Sequence, residues 1–357
     1  VSIAPGSDAL ARDEAGVDTP GDAIGPDESG PRGSTLPRYL AVKAGGALVS
    51  LAMVVVLGFF SFRILPGSDP AINLTRGRQV SAEEVERLRH EFGLDQPLYA
   101  QFFRYVGDLL TGNLGNSFVY NQSVSSLIAD KVGPTLLLTG TAAIISIILG
   151  LWLGQLAAWR RGGWFDKLQT GTALTFWSVP TFWLGLILLL VFAGIFHLFP
   201  AGGMTTAGSS YTGFAYVADV LHHLALPVVT MVAVVYAQYL MVMRASVLEE
   251  MSADYLTTAR AKGLSEDKVR TRHAVPNALL PTVTLIFLHV GALIGGAVTV
   301  ETVFSWPGLG FLTFTALSAP DLPLLQGTFV VFSSIVIVMN FAADLLYRVL
   351  DPRLKAA

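Results

Sequence analysis

The chain has 357 residues, 52% of them hydrophobic and only 14% charged, with a mean hydropathy of +0.57, against roughly 25% charged in an ordinary soluble domain. A net charge of -3 excludes the strongly basic balance of a nucleic-acid binder, and the lack of cysteine excludes disulfides, thiolate metal sites and cysteine nucleophiles. Such a composition reads as an all-α integral membrane protein.

Residues 1–37 are a different material from the rest. They hold eleven Gly or Pro and seven acids, with no aromatic residue, so they bury too little to offset their ordering entropy and read as a disordered acidic cytoplasmic tail. The acidic charge does not fit a secretory signal. A spanning helix needs about 20 mostly apolar residues, and six segments qualify: Tyr39–Phe62, Pro134–Ala158, Thr172–Phe199, Leu221–Met243, Thr282–Phe304 and Thr328–Leu350. Pro180 in the third removes a backbone donor and is expected to kink that helix or delay its start.

Basic residues set the expected orientation. Arg160, Arg161 and Lys167 follow the second span, Arg244, Arg260, Lys262, Lys268, Arg270 and Arg272 follow the fourth, and Arg348, Arg353 and Lys355 close the chain, while 200–220 and 305–327 contain none. Both termini and the 244–281 loop are therefore expected in the cytoplasm. The expected layout is a tail over 1–37 and a first helix plus extracellular helical insertion over 38–133. A core of five helices over 134–350 and a cytoplasmic C-terminus over 351–357 complete it. Within the insertion, Ser81 followed by Glu84 is a capping box opening a helix. Leu98–Leu110 sets Phe102, Phe103 and Val106 at helical spacing.

Residues 254–281, DYLTTARAKGLSEDKVRTRHAVPNALLP, carry the most information. Ala253–Lys262 favours a helix, Gly263 suits the left-handed residue that ends one, and Ser265 suits the N-cap of a second helix bounded by Pro276 and Pro281. Two short helices joined at a bend make a compact knob suited to passing a push into the bundle. Residue spacing alone leaves equal room for a loop that is basic only because of its topology.

Other polar positions carry weaker signals. Glu301 and Asp344 lie in or near the fifth and sixth spans, where an acid is costly and so a functional candidate; Glu301 is read as a gate or cargo-ammonium contact or, in preference, as structural. His222 and His223 point about 100° apart on a helix and make a poor metal pair. Gly150/Gly154 and Gly291/Gly295 have the spacing of close helix contacts. Trp306, Pro307 and Gly308 form a tight turn expected at the outer surface with an aromatic anchor, read like Asp344 as gate or structural, the turn either seating a partner protein or holding a re-entrant cap.

The 254–281 segment resembles the cytoplasmic EAA loop of permease subunits from binding-protein-dependent ABC importers. Counting from Gly263, the three opening positions of that motif fall on Thr257, Thr258 and Ala259, its Ile on His273, and its Leu-Pro on Val275 and Pro276. The opening Glu and the Ile are thus absent, whereas TARAKGL is the form of the peptide-importer branch. Further similarity runs through LPGSDPA (65–71), FGLDQPL (92–98), GNLGNSF (112–118), PTLLLT (134–139), SVPTFWLG (178–185), GGAVTVETVFSWPGLG (295–310), Asp321, Pro323, Gly327 and NFAADLLYRVLDPR (340–353). The extra Ser68, and Asn113 where Asp is usual, are local departures. Together these segments resemble the first of the two permeases of the dipeptide/oligopeptide/nickel type.

That resemblance implies a second homologous permease, two ATP-binding-cassette ATPases that bind ATP and Mg, and an extracellular or periplasmic substrate-binding protein. It implies no cofactor on this chain, in keeping with the absence of a G-x-x-x-x-G-K-[ST] loop. By the same resemblance, Tyr255, Leu256, Thr257, Thr258, Ala259, Arg260, Ala261, Lys262, Gly263 and Leu264 form the coupling helix seated on an ATPase, with Pro276 downstream. The expected function is a non-catalytic permease subunit for di- or oligopeptides in the cytoplasmic membrane, with nickel, glutathione or another small solute as alternative cargo. A proton-coupled carrier using Glu301 and Asp344 is the competing class, and it leaves the 254–281 knob unexplained.

Overall fold

The computed structural model describes residues 36–64, 95–319 and 321–350, together with Ser81, Glu83, Glu86 and His90. Of the tail expected over 1–37, residues 1–35 lie outside the described residues, while Leu36 and Pro37 already belong to the first helix; most of the helix expected from Ser81 and residues 351–357 also lie outside. The described elements are helical: α1 (Leu36–Ile64), α2 (Leu98–Leu110), α3 (Val124–Trp159), α4 (Trp164–Ser178), α5 (Thr181–Leu188, continued by a π-helical turn over Leu189–Ile195), α6 (Gly213–Glu250), α7 (Asp254–Ala261), α8 (Glu266–Val269, continued by a π-helical turn over Arg270–Ala274), α9 (Val275–Val303), α10 (Leu309–Ser318) and α11 (Leu322–Leu350).

Four described helices are long and apolar enough to cross a membrane, within α1, α3, α6 and α11, and the α4–α5 pair makes a fifth if counted as one span. The expected fifth segment falls in α9, 29 residues long. The expected third segment is not a simple span: α4 and α5 meet at 101°. Val179, held extended by the proline that follows, and Pro180 at ψ 130° break the ladder there, so the interruption is sharper than a kink.

Both α3 and α6 exceed their expected apolar stretches. Ser123 accepts from the Ser126 N–H at 3.3 Å and starts α3 ten residues before Pro134, so that Val124, Leu127 and Ile128 are buried against α10 and α11. Hydropathy finds only the lipid-thick middle of such a helix; the flank that opens α3 and the one that closes α6 also bury residues against protein, among them Val124, Leu127, Ser246 and Val247.

Helix α6 is the axis of the bundle, buried along most of its length, while α1 lies at the edge and meets α11. Gly150 and Gly154 let α3 close on α6. A β-carbon on Gly150 would fall 2.5 Å from Tyr239 Cβ, and one on Gly154 would fall 2.6 Å from the Leu240 carbonyl. The first glycine pair therefore serves contact inside the bundle. Gly295, from the second pair, has nothing within 4 Å of its would-be β-carbon, and the side-chain position of Gly291 lies outside the described residues.

Candidate functional site

The knob between α6 and α9 is a small folded unit. Leu256 and Ala259 on α7, Val269 on α8 and Ala274 pack together with Trp159 from the end of α3 and Leu264. Burying each larger side chain contributes roughly 1.5–3 kcal/mol, enough to hold the unit to the bundle. Gly263 takes φ +76° at the bend, a conformation that costs a β-carbon-bearing residue energy even where space is open. Ser265 stands at the N-cap of α8, but its side chain makes no capping bond.

The expected boundary at Pro276 and Pro281 is absent. The chain runs from α8 through a π-helical turn directly into α9, with Pro276 in the first turn of α9 and Pro281 inside it. Pro276 removes one donor from this continuous run, and the wider turn before it relieves the clash of its ring with the preceding carbonyls.

With Leu256 and Ala259 turned inward, Thr257, Thr258, Arg260, Ala261, Lys262 and Gly263 form an exposed face. Its frame is polar. Tyr255 donates to the Glu250 carboxylate, and Asn277, in the first turn of α9, donates to the Tyr255 hydroxyl at 3.0 Å and to the His273 carbonyl at 3.1 Å. Partial burial and then the Glu250 carboxylate push the Tyr255 phenol up. Arg260 Nε lies 2.8 Å from Glu266 Oε1 across the bend, and that guanidinium holds the Glu266 carboxyl below its usual range.

At the opposite end of the bundle, the acids are swallowed. Glu301 is fully buried; its Oε1 accepts from Thr135 Oγ1 at 2.7 Å, and its Oε2 accepts from the N–H groups of Gly310 at 2.7 Å and Phe311 at 3.1 Å. The Leu309 N–H donates to Thr135 Oγ1 at 2.8 Å. The free N–H groups opening α10 are thereby satisfied by a carboxylate placed where a helix N-terminus favours negative charge. Gly308 permits it, since a β-carbon there would fall 2.3 Å from Glu301 Oε1. This is the structural reading of Glu301.

Trp306 differs from expectation. It is fully buried instead of anchoring an outer surface, and its Nε1–H donates to the Pro134 carbonyl at 2.9 Å. The Thr135–Glu301 bond draws the Trp306–Gly308 turn against α3, which leaves no aqueous or lipid boundary for the ring to mark. Asp321 is a second buried acid of the same kind. It accepts from Ser117 Oγ at 2.5 Å, from the Val119 N–H at 3.1 Å and from the Leu324 N–H at 3.2 Å, capping α11 and tying down the 117–119 turn.

The other flagged residues have simple partners. Asp344 pairs with Lys43 at 2.8 Å, joining α11 to α1, with both side chains over a third exposed. His222 bonds the Leu198 carbonyl at 2.9 Å and His223 the Asp219 carbonyl at 2.9 Å. Among the described residues no group of three or more His, Asp or Glu side chains could hold a metal ion.

Residues 124–356 match the family model described as the binding-protein-dependent transport system inner membrane component, and residues 36–139 match the model of its N-terminal region. The chain belongs to this family. A protein named as a peptide permease of Brucella suis biovar 1 is 38% identical over 312 residues, covering 86% of this chain and 97% of the relative. The glutathione transport system permease GsiC of Escherichia coli K12 is 37% identical over 317 residues, covering 89% and 98%. An inward-facing form of the MetNI methionine ABC transporter superposes with a TM-score of 0.51 at 17% identity, over 63% of this chain and 96% of that one, which is a likeness of fold.

In this permease the knob residues expected from 255 to 264 all come together around one elbow. Glu301, Trp306, Pro307 and Gly308 also meet, but in the capping lock at the other end, and Asp344 stands apart from both. Sequence reasoning missed Asp166. It is nearly fully buried and grips Arg244 with both oxygens, Nε to Oδ1 at 2.6 Å and a terminal nitrogen to Oδ2 at 2.9 Å. Its signal was available: an acid three residues after Gly163 in the first turn of a helix, beside the basic cluster at 160–167.

Proposed function

We propose that the chain is one of two permeases of a peptide-type ABC importer, with six spans, both termini and the knob in the cytoplasm. The cargo in this reading is di- or oligopeptide, delivered from outside by a substrate-binding protein. One ATPase docks on the exposed α7 face and a second beneath the sister permease, and their ATP-driven closure rocks the bundle. The observation that carries the reading is the knob: a separately packed elbow, fixed to α3, α6 and α9, that presents Thr257, Thr258, Arg260, Ala261 and Lys262 outward. The names of the relatives support peptide cargo, and GsiC makes glutathione the second choice.

Reconstitution of the full assembly in proteoliposomes tests this. ATP inside the ATPase compartment is expected to drive uptake of radiolabelled dipeptide only when all four kinds of subunit are present. Competition by excess glutathione but not by dipeptides moves the cargo to glutathione. Uptake by this chain alone, collapsed by an uncoupler, overturns the importer reading in favour of a secondary carrier.

A further inference from the structure

A buried ion pair sits where α4 starts and α6 nears its end. Asp166 is 3% exposed, and besides Arg244 it accepts from the Gly162 N–H at 2.9 Å and from Thr170 Oγ1 at 3.3 Å, so all of its capacity faces protein. Arg244 is half-buried, and a charge pair with two parallel bonds fixes orientation as well as distance. Further along α4 the contact with α6 is apolar, through Ala173, Phe176, Tyr236, Ala237 and Leu240. At the end nearest the knob the two helices are joined by the ion pair.

The clamp lies on a continuous line of bonds. Arg244 is six residues before Glu250 on one unbroken helix, Glu250 accepts from Tyr255 on α7, and Tyr255 accepts from Asn277 on α9. In the other direction, Asp166 opens α4, the first arm of the pair bent by 101°. We propose that Asp166 and Arg244 are positioning residues that make the bent α4–α5 pair move with the knob, delivering to that pair the push received at α7. The proposal rests on the importer reading given above.

Substitutions can separate this role from helix capping. Asp166→Asn keeps an acceptor for Gly162 and loses the charge; Arg244→Gln loses the fork; the exchange Asp166→Arg with Arg244→Asp rebuilds the pair in reverse. In the complete reconstituted transporter, normalised to assembled complex, each single variant is expected to hydrolyse ATP within about twofold of the unaltered protein while dipeptide taken up per ATP falls about tenfold. The exchange is expected to recover at least about a third of the ratio.

A second readout is independent of cargo. The chain has no cysteine, so spin labels at Leu168→Cys and Lys268→Cys, both exposed positions outside the α7 docking face, report one distance in an assembly whose partner subunits have been freed of cysteine. That distance is expected to stay fixed between nucleotide-free and ATP-bound states in the unaltered clamp and to shift or broaden in Asp166→Asn. A fixed distance in Asp166→Asn, or an unchanged uptake-per-ATP ratio in the singles, overturns the linkage. If the unaltered assembly hydrolyses ATP but takes up no dipeptide, the cargo reading fails and the label distance still decides the clamp.

Discussion

The two ends of this bundle use charge in opposite ways. At the α10 end, Glu301 and Asp321 are fully buried, and each is surrounded by backbone N–H and hydroxyl donors. At the knob end, Arg260, Glu266, Lys262 and Lys268 are exposed, and the frame is held by side-chain pairs around a left-handed glycine. A buried acid in a membrane helix is conventionally a candidate for ion or substrate handling. Here the buried acids close helix ends, while the polar elbow turns Thr257, Thr258, Arg260, Ala261 and Lys262 outward. Depth in the membrane therefore misleads about function unless the donors around the acid are counted.

That contrast breaks first at Glu301. Glu301→Ala strands the N–H groups of Gly310 and Phe311 and the Thr135 hydroxyl, and is expected to cost about 3–5 kcal/mol, as for other broken buried charge networks. Thermal unfolding of the purified chain in detergent, or its yield in the membrane, reads the loss; Glu301→Gln is expected to lose less because one oxygen still accepts. A normally stable Glu301→Ala protein that fails only in transport makes Glu301 a gate after all.

The packing between the two ends comes next. Gly150→Ala forces a carbon to 2.5 Å from Tyr239 Cβ and 2.8 Å from the Tyr236 carbonyl, and overpacking of this kind is expected to cost about 1–3 kcal/mol in the same assay. At the knob, Tyr255→Phe removes the hydroxyl shared by Glu250 and Asn277 and is expected to cost about 0.5–1.5 kcal/mol, with a larger effect on transport than on melting. The smallest effect is expected at Gly295. With open space around it, Gly295→Ala should change the melting of the isolated chain by less than about 0.5 kcal/mol, and a substantial loss only in the assembled complex would place the sister permease against that face of α9.

Much of this architecture was legible in residue order, for identifiable reasons. Long apolar runs announce α1, α3, α6 and α11 because lipid offers the backbone no other donors. Gly263 declared its bend because only a residue without a β-carbon takes φ +76° cheaply. What the sequence hid was partnership across distance. The Thr135–Glu301 bond spans 166 residues, and no local pattern says that Glu301 will turn to the opening of α10 instead of to a cargo. The 101° break at Pro180 was half visible: proline announces an interruption, but its angle is set by how α5 packs on α6 and α9. Trp306 was misjudged for the same reason, since its burial depends on the Pro134 carbonyl from another helix.

The most direct test of force entering through the knob is transport by a Gly263 series in the complete reconstituted importer. No atom lies within 4 Å of a β-carbon at this position, so any effect comes from the backbone angle, worth about 1–2 kcal/mol for a β-branched residue. Gly263→Asn, which tolerates that angle, is expected to take up dipeptide near the unaltered rate. Gly263→Val is expected to insert and assemble normally, with melting lowered only by that strain, yet to lose about tenfold in uptake per ATP. Unaltered uptake by Gly263→Val, in a complex shown to be folded and assembled, contradicts the account.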